Sequence, residues 1–146
     1  HTHRAEPAYK TGLRMVEMVE EDLTPSKILT RNAIENAIVV NSASGGSTNA
    51  PIHLNAIARH ATIELDIGEW ETIGLAVPLL VNLQPAGEYL GEAYHQAGGV
   101  PAVMHELLKA GRLHGTSMTV AGSTVEENCV NTPPLIPMSL DPMKTR

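Results

Sequence analysis

A mixed α/β fold, helix-rich with few short strands, is what this sequence predicts. Three observations carry that reading. Apolar residues recur at helical spacing in several stretches. One short apolar run, residues 77–83, is bounded by turn residues as a strand would be. Glycine and proline punctuate the intervals between these segments. At 146 residues the chain amounts to about one domain, enough to bury a real core.

Residues 6–22 read as the first helix. Tyr9, Leu13 and Val16 share one face, with Met15, Met18 and Val19 beside it. The plain expectation is that Met15 and Met18 fill core gaps. Pro7 suits a first turn, and Thr24-Pro25 ends the element. Ser26 or Thr30 can cap the next helix, whose stripe runs through Ile34, Ala37, Ile38 and Asn41. The run 37–40 also fits a buried strand, but the earlier start of the stripe favours helix. A third helix is expected to follow the glycine turn and to run to about His60.

Asp66 opens a short capped helix that Gly74 closes. Pro78 fits the start of the strand at 77–83 better than its centre. Residues 89–97 suit a helical turn or two. Pro101 opens a helix through Lys109, with Gly111 at the C-cap. Thr119-Val120 reads as a short strand, and Thr124 to Glu127 has the form of a capping box. From Asn131 to Pro142 the chain is Pro-rich and reads as an extended linker.

The composition narrows the function. A net charge of −6 opposes binding to a phosphate backbone. A single cysteine, Cys129, excludes an internal disulfide and a multi-cysteine metal site. That thiol is expected to be inert, because the adjacent Glu126 and Glu127 would raise its pKa. His53 and His60 stand two turns apart, wider than the three- or four-residue spacing of helical metal pairs, so hydrogen-bonded structural roles are expected. His105 is expected on a solvated helix face. His1 and His3 are terminal.

The turn Gly45, Gly46, Ser47, Thr48, Asn49 is the candidate binding site. Glycines allow close backbone approach, and a following helix N-terminus offers free donors and partial positive charge. Such a turn can hold a carboxylate or phosphate. It can equally be a Gly-Gly turn followed by an ordinary N-cap, for which Ser47, Thr48 and Asn49 all qualify. It is neither a Walker loop nor a dinucleotide fingerprint.

The stretch 36–54, with its core Gly45-Gly46-Ser47-Thr48-Asn49 and the following His53-Leu54, resembles the dihydroxy-acid and phosphogluconate dehydratase family. Residues 11–18, 77–80 and 96–103 support the resemblance in the right order; the region after Ser117 matches least. Residues 85–90 look more like the sugar-acid (aldonate) branch. The resemblance implies a layered α/β/α N-terminal domain, with 1–130 part of that domain and 131–146 a linker toward a C-terminal one. It implies a cytoplasmic, homo-oligomeric hydro-lyase that converts a 2,3-dihydroxy acid to a 2-keto acid with an iron–sulfur cluster and Mg2+. The family's cluster cysteines, magnesium-binding lysine and serine base match no residue of this chain, so no catalytic or metal-binding residue is carried over. The expectation is an internal fragment, inactive alone. The alternative is a non-catalytic module that binds a small carboxylate.

Overall fold

Helix α3 (Arg31–Ala43) organises the molecule because it buries residues on two sides. The computed structural model describes residues 4–134, so the Pro-rich stretch beyond them and His1 and His3 lie outside the described residues. In chain order the other helices are α1 (Ala5–Glu20), α2 (Pro25–Ile28), α4 (Asn49–His60), α5 (Ile67–Gly74), α6 (Gly91–Gln96), α7 (Gly99–Lys109) and α8 (Val125–Cys129).

One side of α3 presents Ile34 and Ile38, which pack on Ala58 of α4 and on Leu54, Ile63, Leu65 and Trp70. The other side presents Val39 and Ala43, which meet Val103 and Leu107 of α7 and the buried Val77 and Val81. Ile73 of α5 touches both clusters and joins them. The core is therefore aliphatic, as the scarcity of aromatic residues requires. Ile38 and Val103 are fully enclosed.

The caps follow local chemistry. Thr30 accepts from the Ala33 N–H at 3.3 Å and settles the choice between Ser26 and Thr30. Asp66 with Glu69, and Thr124 with Glu127, form complete capping boxes. The Thr124 backbone and hydroxyl donors hold the Glu127 carboxyl below its ordinary range. The stretch 37–40 is helical, α4 ends at His60, and α5 ends at Gly74. Helix α7 starts at Gly99, so Pro101 lies in its first turn rather than at its opening.

Three expectations are corrected. Residues 77–83 do not form a strand of a sheet. Among the described residues the only β pairings are two isolated bridges, Leu83 with Tyr89 and Met118 with Thr124. A ladder needs a neighbouring strand, and here the backbone groups go elsewhere. The Leu80 N–H donates to the Ala43 carbonyl at 2.8 Å, and Tyr89 N–H to the Asn82 carbonyl at 3.1 Å. The segment is an extended strap whose Val77 and Val81 seal the core. Thr119-Val120 likewise lies in a tight turn through Gly122, not in a strand. Finally, α1 does not bury its apolar face: Met18 is enclosed, but Tyr9, Leu13, Met15, Val16 and Val19 are exposed.

Candidate functional site

The glycine turn is built first as the end of α3. Gly45 takes a left-handed φ of 61°, which lets the Gly46 N–H donate back to the Asn41 carbonyl at 2.8 Å. The Gly45 N–H donates to the Ser42 carbonyl at 3.1 Å. Both glycine donors are thus spent on capping α3. At Gly46 a side chain would stand 2.8 Å from Asn41 Cγ and 3.1 Å from its carbonyl oxygen, so only glycine fits without displacing Asn41.

The start of α4 follows at once. Ser47 Oγ accepts from the Asn49 N–H at 3.1 Å. The Ser47 carbonyl accepts from the Ala50 N–H at 3.0 Å. Thr48 occupies the N-cap position, yet its side chain makes no capping hydrogen bond. Gly46, Ser47, Thr48 and Asn49 are exposed, and Gly45 is half-buried. The turn therefore serves both helices, and the hydroxyl it leaves uncommitted is that of Thr48.

A hollow of about 200 Å³ adjoins the turn. Asn41, Ser42, Gly46, Ser47 and Thr48 line one wall; Trp70, Glu71 and Gly74 of α5, with Leu75 just after it, line the other. The walls approach closely because Gly74 has no side chain: a Cβ there would meet Ser42 Oγ at 2.8 Å. Trp70 is fixed by its Nε1–H, which donates to Asn55 Oδ1 at 2.8 Å. The hollow thus offers hydroxyl and amide groups on one side and a carboxylate, Glu71, on the other. That mixture suits the hydroxyls of a small polyol better than a bare anion, because Glu71 would repel the latter. The α5 wall was not legible in the sequence. In the sequence Asn41 stands on the stripe of its helix, and Asn41 and Ser42 belong to the long motif, but neither reads as the wall of a site.

A larger open trough of about 950 Å³ runs along α4, where Arg59 and His60 face Glu64 and Asp66. It contains none of the five turn residues. Size alone is a weaker pointer than the chemistry gathered at the turn, so the smaller hollow is the better candidate.

Several of the titratable groups outside the hollow hold the fold. The Arg31 guanidinium binds Glu35 of its own helix at 2.7 Å and also binds Glu69 of α5. His114 Nε2–H donates to Glu35 at 2.7 Å. Arg31 first, then His114, keeps the Glu35 carboxyl below its usual range. His105 is not on a solvated face: it is part-buried, and its Nδ1–H donates to the Cys129 carbonyl at 3.2 Å, tying α7 to α8. His53 and His60 are both exposed on α4, so the expected structural hydrogen bonds are not formed among the described residues. Burial, rather than the flanking acids, pushes the Cys129 thiol up.

These donors do not fit an iron–sulfur cluster or a magnesium site. A cluster needs several thiolates, and the one cysteine is enclosed and held as the thiol. Among the described residues no three His, Cys, Asp or Glu side chains converge.

With that geometry in view, the family is clear. Residues 1–128 match the family model for the N-terminal region of dihydroxy-acid/6-phosphogluconate dehydratases, and the chain belongs to that family. It is 52% identical over 128 residues to a D-xylonate dehydratase of Caulobacter vibrioides, covering 88% of this chain and 21% of that protein. It is 52% identical over 118 residues to an L-arabinonate dehydratase of Rhizobium leguminosarum bv. trifolii, covering 81% of this chain and 20% of that protein. A dihydroxy-acid dehydratase of Leptothrix cholodnii is 50% identical over 121 residues, covering 83% and 22% respectively. The chain thus spans about a fifth of the length of the curated relatives it matches. Among the described residues no helix is long and apolar enough to cross a membrane.

Proposed function

We propose that this chain is a segment of a hydro-lyase that dehydrates a 2,3-dihydroxy acid to a 2-keto acid. The observation that carries the proposal is the kinship with D-xylonate, L-arabinonate and dihydroxy-acid dehydratases at 50–52% identity. In such a reaction the C2 proton and the C3 hydroxyl leave as water. The resulting enol then tautomerises to the ketone, with no net redox change. The mixed polar hollow beside the turn supports a sugar acid, whose several hydroxyls would meet Asn41, Ser47, Thr48 and Glu71.

On this reading residues 1–130 belong to the enzyme's N-terminal domain and 131–146 lead toward its C-terminal domain. Gly45, Gly46, Ser47, Thr48 and Asn49 border the substrate, with the glycines shaping the turn and Thr48 free to donate. An iron–sulfur cluster and Mg2+ would supply the Lewis acid for the leaving hydroxyl. Their ligands would come from parts of the cytoplasmic, homo-oligomeric enzyme outside this chain, and the chain alone would be inactive.

The test is direct. The complete polypeptide that carries this segment is assayed with D-xylonate, L-arabinonate and a branched 2,3-dihydroxy acid, and 2-keto acid is measured. Turnover of at least one acid by the complete polypeptide, with none by the 146-residue chain, is expected. Failure on all three would sink the proposal.

A further inference from the structure

We infer that the hollow beside the turn is a tail subsite. It takes the uncharged, hydroxyl-bearing end of a sugar acid, and Glu71 turns away a sugar acid that carries a phosphate on that end. The inference deepens the reading that residues 45–49 border the substrate, and rests on it. A helix N-terminus is ordinarily an anion site, because its first N–H groups point outward unpaired. Helix α4 has no such donors to offer in its first turn. The Asn49 N–H goes to Ser47 Oγ at 3.1 Å, and the Ala50 N–H to the Ser47 carbonyl at 3.0 Å. Pro51, the third residue of the helix, has no N–H. The preceding glycine donors are committed as well, Gly45 to the Ser42 carbonyl and Gly46 to the Asn41 carbonyl. A phosphate placed here would meet no row of free backbone donors.

The side chains repeat that preference. Among the described residues no Lys, Arg or His lines the hollow. The one ionised group in its wall is Glu71, which is exposed and has no hydrogen-bond or ion-pair partner among the described residues. A free carboxylate accepts from hydroxyls and repels phosphate. Asn41 and Thr48 add neutral polar groups. The Trp70 ring, held by Asn55, gives the carbon chain an apolar side.

Size fixes how the acid lies. The hollow holds about 200 Å³, below the roughly 300–1,000 Å³ of pockets that enclose a whole drug-sized ligand. It therefore takes one end of the molecule. Glu71 repels the acid's own carboxylate too, so that group points out of the hollow and the terminal hydroxyls point in. A branched aliphatic dihydroxy acid has no hydroxyl to offer at its far end and gains nothing from Glu71.

The experiment is calorimetric titration of the complete polypeptide at low ionic strength, because salt screens exposed charges. D-xylonate and L-arabinonate are titrated first, and the tighter binder is then compared with its own 5-phosphate ester. The ester is expected to bind roughly five- to tenfold more weakly, and Glu71→Gln to bring the two within about twofold. Glu92→Gln removes an exposed acid outside the hollow and should leave the ratio as it was. Binding of neither acid would overturn the inference, as would an ester that binds as well as its parent. So would a ratio that Glu71→Gln leaves unmoved or that Glu92→Gln moves equally. Titration needs no turnover, so the two readings fail separately. An enzyme that binds and dehydrates only the branched acid keeps the dehydratase reading and loses this one. An enzyme inactive on all three acids that still shows the Glu71-dependent ratio loses the dehydratase reading and keeps the subsite.

Discussion

The Asn36 carboxamide donates to the His114 carbonyl at 3.1 Å and accepts from the His114 backbone N–H at 2.8 Å. Asn36 is buried in α3, and His114 belongs to the loop after α7. This exchange fastens the loop to the central helix, and a Ser117 hydroxyl 3.4 Å from Asn36 Nδ2 extends it. Asn36→Ala is expected to destabilise the chain by about 1–3 kcal/mol, because the peptide groups of His114 lose their partners in a part-buried setting. Urea unfolding checks this; an unchanged midpoint would mean that water replaces the amide without cost.

The acid limb of stability should report the Arg31 network. The Arg31 guanidinium lowers both Glu35 and Glu69, with His114 also acting on Glu35 and the Asp66 N–H on Glu69. Their folded-state pKa values lie below the unfolded value of 4.5. Their stabilisation is therefore fully present above about 4.5 and is lost as pH falls through the lower folded values. Glu35 is partly exposed, so its share should be under about 1 kcal/mol. Glu35→Gln should flatten the decline below pH 5 in a urea-midpoint titration. An unaltered decline would place the acid sensitivity elsewhere.

Three glycines should respond differently to alanine. Gly45→Ala should cost about 1–2 kcal/mol for the left-handed backbone, with added crowding from Leu79 Cδ1 at 3.0 Å. Gly46→Ala should also destabilise, by displacing the Asn41 side chain. Gly12→Ala meets nothing within 4 Å in a helix interior and should stabilise this chain by about 0.5–1 kcal/mol. Thermal midpoints of the three variants check the order; a stabilising Gly46→Ala would contradict the close approach described for the turn.

Leu107 is 1% exposed at the junction of α7, α3 and the strap. Leu107→Ala should cost about 2–5 kcal/mol, the range for a cavity that cannot fully collapse. A loss below 1 kcal/mol in chemical denaturation would show the cluster around Val39 and Val77 to be loosely packed.

Much of this fold was legible because helix signals are local. Thr30, Asp66 and Thr124 announce their helices through side chains that reach their own backbone, and the spacing in α3 and α7 marks the buried stripe. The strap at 77–83 was misread because apolar content marks burial, whereas a strand also requires a partner that sequence does not show. Burial of α1 was overestimated for a related reason: periodicity gives an amphipathic face but not what lies against it. At the candidate site the turn was visible as a motif. Its opposite wall, Trp70 and Glu71, was not, since only tertiary packing of α5 on α3 brings them there.

The central claim is that the turn at 45–49 borders the substrate rather than merely joining two helices. Thr48→Val separates the two roles, because the Thr48 side chain makes no capping hydrogen bond that the substitution could remove. The decisive measurement is KM for the hydroxy-acid substrate of the complete polypeptide, taken beside its thermal midpoint. Loss of one hydrogen bond to substrate predicts a rise in KM of several-fold, up to about tenfold, with an unchanged midpoint. An unchanged KM would contradict the account and leave the turn a purely structural stop between α3 and α4.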